Sequence, residues 1–432
     1  MRRTVVEHQQ AIETLLRTGW TRFPDSVLND AGALVALDQA LGRVLAQDLV
    51  AGVALPPFSN SQMDGYAISV AIDQPENSDS TESTTFVVGE TIAAGAVPAA
   101  LPVGTAAPIM TGAMVPDGAN AVVPVELAAP AQFLAPGGTV ELPATTAGRF
   151  VRPAGSDVPA GAVAIAAGTV LNAAHLGLAA ALGCTAVQLR RRPRVLLLTT
   201  GDEVVAPGGP EAAAGLPAGK IYDANGMLLA AALAQAGLEV VHAHMVSDEP
   251  AALLQVLDSR LGGGPAGAGV ELVLSVGGIS AGAFEVVRQA LGSGLAHAEM
   301  DFVQVALQPG GPQGLGTYRG VPFVAFPGNP VSAYVSVEMF LRPALTALLG
   351  APAPRHRVVA VLAHALTSPA GKHQIRRARY EGPDFEVAAS VREVGGESSH
   401  LLGALAQANA LLEIPAGVTK LQPGAKVEVL LL

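Results

Sequence analysis

The sequence predicts an α/β protein of several domains, built around a central sheet that is doubly wound with helices. Apolar strand patterns alternate with helical patterns from Arg194 to Leu349, the order that βα units of a parallel sheet require. From Phe86 to Leu142, and again over residues 355–432, short apolar runs alternate with Gly and Pro turns, which is typical of small β domains. The length of 432 residues also exceeds what one hydrophobic core supports.

These patterns divide the chain into four predicted domains. A helical linker domain comprises residues 1–55 and 147–192, and a small β domain inserted at 56–146 splits it. The α/β domain spans 193–350, and a C-terminal β domain spans 355–432.

Apolar periodicity predicts the individual elements. Helices are predicted over Val5–Leu16, over Gln39–Leu49 with Asp38 as its cap, and over Ala173–Leu182. Within the α/β domain, strands are predicted near 195–198, 238–243, 271–276, 302–307 and 321–326, and helices near 226–236, 249–261, 284–291 and 331–348.

The composition excludes several classes of function. No run reaches the ~18 apolar residues of a membrane span, and the first residues lack the apolar region of a signal peptide, so we expect a cytoplasmic protein. The single cysteine, Cys184, excludes a disulfide framework and a multi-cysteine metal site. The net charge of −11 argues against nucleic-acid binding, although an anionic substrate can still bind where backbone N–H groups and Arg side chains gather.

A candidate site begins at the end of the first strand of the α/β domain. The apolar run Arg194–Leu198 gives way to Thr199-Thr-Gly-Asp-Glu203, and open α/β sheets bind ligands at this carboxyl edge. Asp202 and Glu203, with Asp223 beyond the next loop, place three carboxylates around one strand end. Such a group favours a cation, a polarised nucleophile or a ligand rich in N–H donors.

Two further turns follow predicted strands of the same sheet. They are Ser275-Val-Gly-Gly-Ile-Ser-Ala-Gly282 and Phe326-Pro-Gly-Asn-Pro-Val-Ser332. Small residues at these places allow backbone N–H groups to approach an anion. One such turn is usually a matter of packing, but three at successive strand ends favour an anion-binding edge.

Six motifs follow one another along the chain: Pro56-Pro-Phe-Ser-Asn-Ser-Gln-Met-Asp-Gly-Tyr-Ala67, Met110-Thr-Gly-Ala113, Thr200-Gly-Asp-Glu203, Ile221-Tyr-Asp-Ala-Asn225, Gly277-Gly-Ile-Ser-Ala-Gly282 and Phe326-Pro-Gly-Asn-Pro-Val-Ser332. Together and in this order they resemble the MoeA family. This family comprises the molybdopterin molybdenumtransferases and includes the E domain of gephyrin. The resemblance covers nearly the whole chain.

The resemblance implies an L-shaped protomer with a MogA-like α/β domain and a C-terminal β-barrel-like domain. It implies a homodimer with the site in a cleft between protomers. The implied reaction takes adenylylated molybdopterin and molybdate, inserts molybdenum at the dithiolene and releases AMP, with Mg²⁺ involved. Other enzymes of molybdenum cofactor biosynthesis and apo-molybdoenzymes are implied as further partners.

The resemblance also assigns roles residue by residue. Asp64, Glu203 and Asp223 match the essential acids of the family, and Glu203 and Asp223 are the expected Mg²⁺ ligands. Asp64 and Thr111 are expected to reach the cleft from the other protomer. The expected substrate-binding residues are Thr111, Arg152, Thr200, Gly201, Gly277, Gly278, Ser280, Glu285, Pro327, Gly328, Asn329, Pro330, Arg377 and Ser399.

The chain departs from the family pattern in two places. Ala283 and Glu285 stand where the family usually has Asp, and Glu285 keeps the charge on a longer side chain. Gln304, Gln308 and Gly311 stand where the family commonly has Lys, which removes attraction to phosphate or molybdate, although Gln still donates hydrogen bonds. Either Arg residues and backbone groups replace these lysines, or molybdate binds more weakly.

Two alternative functions stay open. The related adenylyltransferase that makes adenylylated molybdopterin shares the sheet domain, but the insertion at 56–146 and the C-terminal β domain argue against it. The second alternative is a dimeric scaffold that binds pterin nucleotide and inserts molybdenum poorly, as the absent lysines suggest. Adenylylation of molybdopterin with ATP would identify the first. Failure to restore nitrate reductase activity in a cell lacking its own transferase would identify the second.

Overall fold

The computed structural model describes most of the chain. The described residues are 2–22, 27–28, 32–71, 83–213, 215–261, 269–279, 285–292, 295, 297–384 and 388–432, without the side chains of 242–245. No helix in this part of the chain has both the length and the apolar character needed to cross a membrane.

Helix α1 (Val5–Thr21) begins with a reciprocal capping box. The hydroxyl of Thr4 accepts the N–H of Glu7, and the Glu7 carboxylate accepts the N–H of Thr4. Ile12 and Trp20 on one face of α1 are buried in the core of the central sheet. The predicted N-terminal helix is therefore confirmed, and it packs against the α/β region.

Between α1 and the central sheet, the described residues form short strands and one helix. They are β1 (Ala33–Ala36), β2 (Leu49–Val50), β3 (Asn60–Ser61), β4 (Gly65–Ile68), β5 (Ser83–Val88), β6 (Thr105–Ile109), β7 (Ala121–Pro124), β8 (Thr139–Pro143), β9 (Val151–Arg152), β10 (Val163–Ile165), α2 (Ala173–Ala181) and β11 (Ala186–Leu189). Strands β4–β8 form a five-stranded sheet, whereas β1 pairs with β11 and β2 with β10. The described residues of the insertion thus form a β-sheet as predicted, and the segments on either side of it pair with each other.

The helix predicted over Gln39–Leu49 is wrong. Residues Leu37–Gln39 form only a 3₁₀ turn, and Leu45 forms an antiparallel bridge with Leu189. Gly42 has a φ of 72°, which ends any continuous helix at this point. Backbone pairing with a segment far away in the sequence satisfies these polar groups, and local periodicity cannot show such a partner.

The α/β domain forms the centre of the structure. Its elements are β12 (Arg194–Thr200), β13 (Val204–Val205), β14 (Ile221–Tyr222), α3 (Ala224–Gln235), β15 (Glu239–Val246), α4 (Pro250–Leu261), β16 (Leu272–Val276), α5 (Val286–Leu291), β17 (Ala298–Gln304), β18 (Leu307–Gln308), β19 (Pro312–Tyr318), β20 (Val321–Phe326), α6 (Pro330–Ser336) and α7 (Arg342–Leu349). The main sheet has the order β15-β12-β16-β20-β19-β17, with its first four strands parallel. Val195–Leu198 of β12 are fully buried between two parallel neighbours. The predicted doubly wound sheet is confirmed.

The antiparallel edge of this sheet differs from the prediction. In place of one strand near 302–307, β17 covers Ala298–Gln304 and pairs with β19, which the sequence does not reveal. A Cβ on Gly316 of β19 would lie 1.8 Å from the carbonyl oxygen of Glu299, so only glycine fits there. Glycine disfavours strands in general, and this close approach therefore hides β19 from propensity-based prediction.

The C-terminal region forms a closed barrel. Its elements are β21 (Arg357–Leu362), β22 (Leu366–Thr367), β23 (His373–Glu381), β24 (Ser390–Glu393), α8 (Leu402–Gln407), β25 (Ala410–Ile414), β26 (Lys420–Leu421) and β27 (Lys426–Leu431). The order β23-β24-β21-β27-β25 closes because β25 pairs back with β23. The expected barrel-like domain is confirmed.

A π-helical turn interrupts the helix predicted over 331–348. Val337–Leu341 form this turn between α6 and α7, and it contains the buried Glu338. The carboxylate of Glu338 pairs with Arg342 at 3.0 Å and with Arg355 at 2.9 Å. Because a buried carboxylate needs such partners, Arg355 ties the segment before the barrel to the last helix of the α/β domain.

We predict that stability falls on acidification because of His8. Burial, reinforced by the charge of Arg3, lowers the pKa of His8 to about 4. The unfolded chain then binds the extra proton between about pH 6.5 and 4, so the free energy of unfolding decreases by up to about 3 kcal/mol as pH falls through that window. Urea unfolding at pH 7 and pH 4.5 measures this change. His8→Leu should reduce the pH dependence, whereas His356→Leu, at an exposed position, should leave it intact. An unchanged pH dependence in His8→Leu would contradict this assignment.

Candidate functional site

A cavity of about 1050 Å³ lies at the carboxyl ends of β12, β16 and β20. Turns after all three strands line it, together with residues 304–312 and the C-terminal loop 397–400. The predicted site residues that line it are Thr200, Gly201, Glu203, Asp223, Gly277, Gly278, Glu285, Pro327, Gly328, Asn329, Pro330 and Ser399. The fold thus brings together residues that the sequence places at separate strand ends.

Asp223 connects the end of β12 to the start of α3. Its Oδ2 accepts the hydroxyl of Thr199 at 2.9 Å, and its Oδ1 accepts the N–H of Gly226 at 2.8 Å as the N-cap of the helix. This bond satisfies a backbone donor that the helix itself leaves unpaired. Asp223 therefore has a structural role besides any chemical one.

Glycines bring the three turns into contact. Gly277 has a φ of 96°, and a Cβ there would lie 2.6 Å from Oγ1 of Thr200. A Cβ on Gly328 would lie 3.3 Å from the Cα of Gly277, and Asn225 Nδ2 donates to the carbonyl of Gly328 at 2.6 Å. Larger side chains would separate the turns, so these residues form one continuous floor for the cavity.

Two backbone N–H groups at these turns are already used inside the protein. The N–H of Gly277 donates to the carbonyl of Phe326 at 3.0 Å, and the N–H of Val331 donates to the carbonyl of Ser399 at 3.1 Å. The expectation that the turns offer their N–H groups to an anion is wrong for these two donors. These two groups are therefore not available to an anion in the cavity.

The described lining is rich in acids. Its carboxylates belong to Glu203, Asp223, Asp248, Glu285 and Glu397. Burial raises the pKa of Asp248, and repulsion from Asp202, Glu203 and Glu285 raises it further, against the opposing hydrogen bond from the Asp202 N–H. Carboxylates that repel one another in this way favour the binding of a cation.

Three predicted site residues, Asp64 and Thr111 in the inserted β domain and Arg152 just beyond it in the chain, form a separate cluster and do not line the cavity. Oδ1 of Asp64 accepts the hydroxyl of Thr111 at 2.7 Å and its N–H at 2.6 Å, which lowers the pKa of Asp64. Arg152 donates to Oδ1 of Asn60 at 3.1 Å, four residues before Asp64 in the chain. The segment 60–64 thus links Asp64, Thr111 and Arg152.

Arg377 lies behind the cavity and not at its surface. It is 2% exposed and donates to the carbonyls of Ser398 at 3.0 Å and Gly396. These bonds position the loop that carries Ser399. The remaining predicted residue, Ser280, lies outside the described residues.

Among the acidic, basic and histidine side chains that line the cavity, five were not predicted from the sequence: Arg2, Asp248, Lys372, Glu397 and His400. Asp248 follows β15, so its place at a strand end was a usable signal, although Ser247-Asp-Glu-Pro also marks the start of α4. No local pattern marks Arg2 or Lys372, because backbone pairing between distant segments brings them to the site.

Comparison with known proteins decides the family. Family models match residues 3–183 (MoeA N-terminal region, domain I and II), 196–347 (probable molybdopterin binding domain) and 359–432 (MoeA C-terminal region, domain IV). Molybdopterin molybdenumtransferase 2 of Mycobacterium tuberculosis (strain ATCC 25618 / H37Rv) is 40% identical over 436 aligned positions, covering 99% of each chain. The chain belongs to the MoeA family.

Further similarities agree with this family. Molybdopterin molybdenumtransferase of Haemophilus influenzae is 30% identical over 87% of this chain and 88% of its own length. The crystal structure of a molybdopterin biosynthesis moeA protein from Pyrococcus horikoshii OT3 matches with a TM-score of 0.75 and 24% identity over 100% of both chains, which shows a shared fold. The predicted family and fold class are confirmed.

We predict that two substitutions of Asp223 differ in their effect on stability, because only one of them keeps the N-cap of α3. Asp223→Ala should lower the free energy of unfolding by about 1 kcal/mol because it removes the N-cap of α3, whereas Asp223→Asn keeps a capping oxygen. Denaturant unfolding of both variants measures the difference. Equal losses of stability in the two variants would contradict the capping role.

Proposed function

We propose that this protein is a molybdopterin molybdenumtransferase. It takes adenylylated molybdopterin and molybdate, inserts molybdenum into the dithiolene and releases AMP. The observation that carries the proposal is the similarity over 99% of the chain to a protein named for this activity, together with a cavity lined by the shared strand-end motifs.

The cavity is large enough for a pterin nucleotide. Its volume of about 1050 Å³ is at the upper end of small-molecule sites, as a pterin nucleotide requires. The glycine floor at Gly277 and Gly328 allows close approach of a ligand to the backbone. The hydroxyl group of Ser399 lines the same space and can donate a hydrogen bond to a phosphate or molybdate oxygen, whereas the hydroxyl of Thr200 donates to the carbonyl of Val276 at 3.4 Å.

Magnesium fits this site as an ion that arrives with the nucleotide. Among the described residues, no group of three or more His, Cys, Asp and Glu side chains is placed to hold a metal ion. Mg²⁺ commonly uses one or two carboxylates and completes its shell with substrate phosphates and water. Glu203 and Asp223 line the cavity and can serve as those carboxylates, and the repulsion that raises the pKa of Asp248 also favours a cation here. When bound, Mg²⁺ would neutralise phosphoanhydride charge.

We further propose that the protein works as a homodimer in the cytoplasm. Asp64 and Thr111 do not line the cavity of their own chain, yet they are held together in a defined geometry. A second copy that presents this pair to the cavity would complete the site. The acidic balance of 36 Asp and Glu against 25 Lys and Arg is unsuited to nucleic acid as a partner.

The transferase proposal predicts release of AMP when the purified protein meets adenylylated molybdopterin, molybdate and Mg²⁺. Asp223→Asn and Glu203→Gln should lower the rate by about 100-fold or more, since each removes a charge that would hold the metal. Chromatography of AMP and elemental analysis of pterin-bound molybdenum measure the two products. Both variants keep nearly the size and hydrogen-bonding capacity of the original side chains, so normal unfolding curves should accompany the loss.

Other results identify a different function. Binding of adenylylated molybdopterin without AMP release by the unaltered protein would favour a pterin-nucleotide scaffold. Adenylylation of molybdopterin with ATP would favour an adenylyltransferase. Full activity in both Asp223→Asn and Glu203→Gln would overturn the roles given to these acids.

The dimer proposal predicts complementation between inactive chains. If Asp64 of one protomer serves the Glu203 site of the other, co-refolded Asp64→Asn and Glu203→Gln chains contain intact sites in mixed dimers. Random pairing then restores about a quarter of the unaltered activity, because half of the dimers are mixed and half of their sites are intact. Each variant refolded alone is the control. No recovery in the mixture, with mixed dimers verified by mass spectrometry, would show that both acids act within one chain.

A further inference from the structure

The segment from Gln304 to Gln308 lies between two other parts of the chain and borders the cavity. On one side, the N–H of Arg3 donates to the carbonyl of Gln304 at 3.0 Å, and the N–H of Ala306 donates to the carbonyl of Arg3 at 2.8 Å. On the other side, Leu307 and Gln308 pair in parallel with the first residues of β23. The segment is therefore the middle of three paired backbones.

The pairing of Arg3 with this segment places Arg2 at the cavity. Arg3 forms a parallel bridge with Val305, so the preceding residue, Arg2, stands beside the start of the segment and lines the cavity. Arg3 itself is engaged elsewhere, since its guanidinium pairs with Asp301 at 2.8 Å. Within the described residues, Arg2 forms no ion pair.

The pairing of the segment with β23, on the other side, places Lys372 at the cavity. The N–H of His373 donates to the carbonyl of Ala306 at 2.8 Å, and His373 is paired with Leu307. Lys372 immediately precedes this pair and lines the cavity. It too forms no ion pair with a described carboxylate, in contrast to Arg376, which pairs with Glu393 at 2.7 Å.

The charge of the cavity lining indicates what these two side chains can bind. Among the described residues that line it, Arg2 and Lys372 are the only Arg or Lys, and they face five carboxylates. Gln304, Gln308 and Gly311, which carry no charge, border the same cavity. The N–H groups of Gly277 and Val331 are used internally, so these two donors are not available to a tetrahedral anion, and charged side chains bind such an anion more strongly than neutral donors do.

We propose that Arg2 and Lys372 form the cationic subsite of this cavity and bind a tetrahedral oxyanion along the wall made by Gln304–Gln308. The inference extends the proposed transferase function by naming the groups that bind its anionic substrates. The shared chemistry is that of phosphate and molybdate, and either the nucleotide phosphate or free molybdate occupies the subsite. Two backbone-anchored cations from distant parts of the chain thereby replace the charge that the segment itself lacks.

The test measures binding of molybdate alone and of AMP alone by isothermal titration calorimetry. Arg2→Gln and Lys372→Gln should each weaken binding of the subsite's anion by about tenfold, which is the loss of one charge-assisted hydrogen bond. A loss confined to molybdate assigns the subsite to molybdate, and a loss confined to AMP assigns it to the nucleotide phosphate. Arg17→Gln and Lys420→Gln, which alter exposed cations away from the cavity, should leave both affinities unchanged.

A compensating substitution distinguishes charge from a general structural effect. Gln308→Lys returns a cation to the middle strand at a residue that lines the same cavity as Lys372, so it should recover most of the affinity lost in Lys372→Gln. Gln304→Lys should do the same in the Arg2→Gln background. Binding should also weaken with added salt in the unaltered protein and less so in Arg2→Gln plus Lys372→Gln, because fewer charges attract the anion.

Unchanged affinity for both anions in the double variant would overturn the subsite. That outcome is separate from failure of the proposed function. If the unaltered protein releases no AMP from adenylylated molybdopterin but loses anion binding on substitution of Arg2 and Lys372, the subsite stands and the transferase proposal falls. If AMP release is normal and both anions bind equally well without Arg2 and Lys372, the subsite falls and the transferase proposal stands.

Discussion

The cavity depends on the backbone hydrogen bonds of residues 304–308. The segment continues from the edge strand of the central sheet, pairs with Arg3 near the N-terminus and pairs with β23 of the C-terminal barrel. These bonds hold two remote parts of the chain against the carboxyl ends of the parallel strands. Without them, the strand-end turns would form only the floor of a site, because one wall and the described Arg and Lys side chains of the lining come from elsewhere.

The floor and the wall of the cavity differ in charge. At the floor, glycines leave room for the turns to approach one another, and both carboxylate oxygens of Asp223 accept local hydrogen bonds. A group that helps to hold the turns in place therefore also carries negative charge. At the wall, the segment contributes the amide side chains of Gln304 and Gln308, and its neighbours contribute Arg2 and Lys372. The proposed substrate, which carries anionic groups and arrives with a magnesium ion, would use both surfaces, since the ion would offset the acids and the cations would bind the anion.

The parallel sheet was predictable from sequence because each of its inner strands is a short, continuous apolar run. β12 is the clearest case, with Val195–Leu198 fully buried. Strand β19 was not predictable, since Gly316 serves a close backbone approach and lowers strand propensity at the same time. The same limit explains the error at Gln39–Leu49, where Leu45 bridges a residue far along the chain. Most of the strand-end residues could be found from motifs, whereas Arg2 and Lys372 could not, because only long-range pairing places them.

The cluster of Asp64, Thr111 and Arg152 requires a different explanation from the cavity. Its geometry is complete within one chain, and hydrogen bonds from Thr111 keep the pKa of Asp64 below its usual range, so the carboxylate is charged and fixed in direction before any ligand arrives. A preformed charge on an exposed loop has no packing function to explain it. Placed against a cavity that already contains five carboxylates, the partner's Asp64 would be repelled unless a cation lay between them. In the proposed homodimer, assembly of the complete site and binding of the metal–nucleotide complex would therefore be coupled.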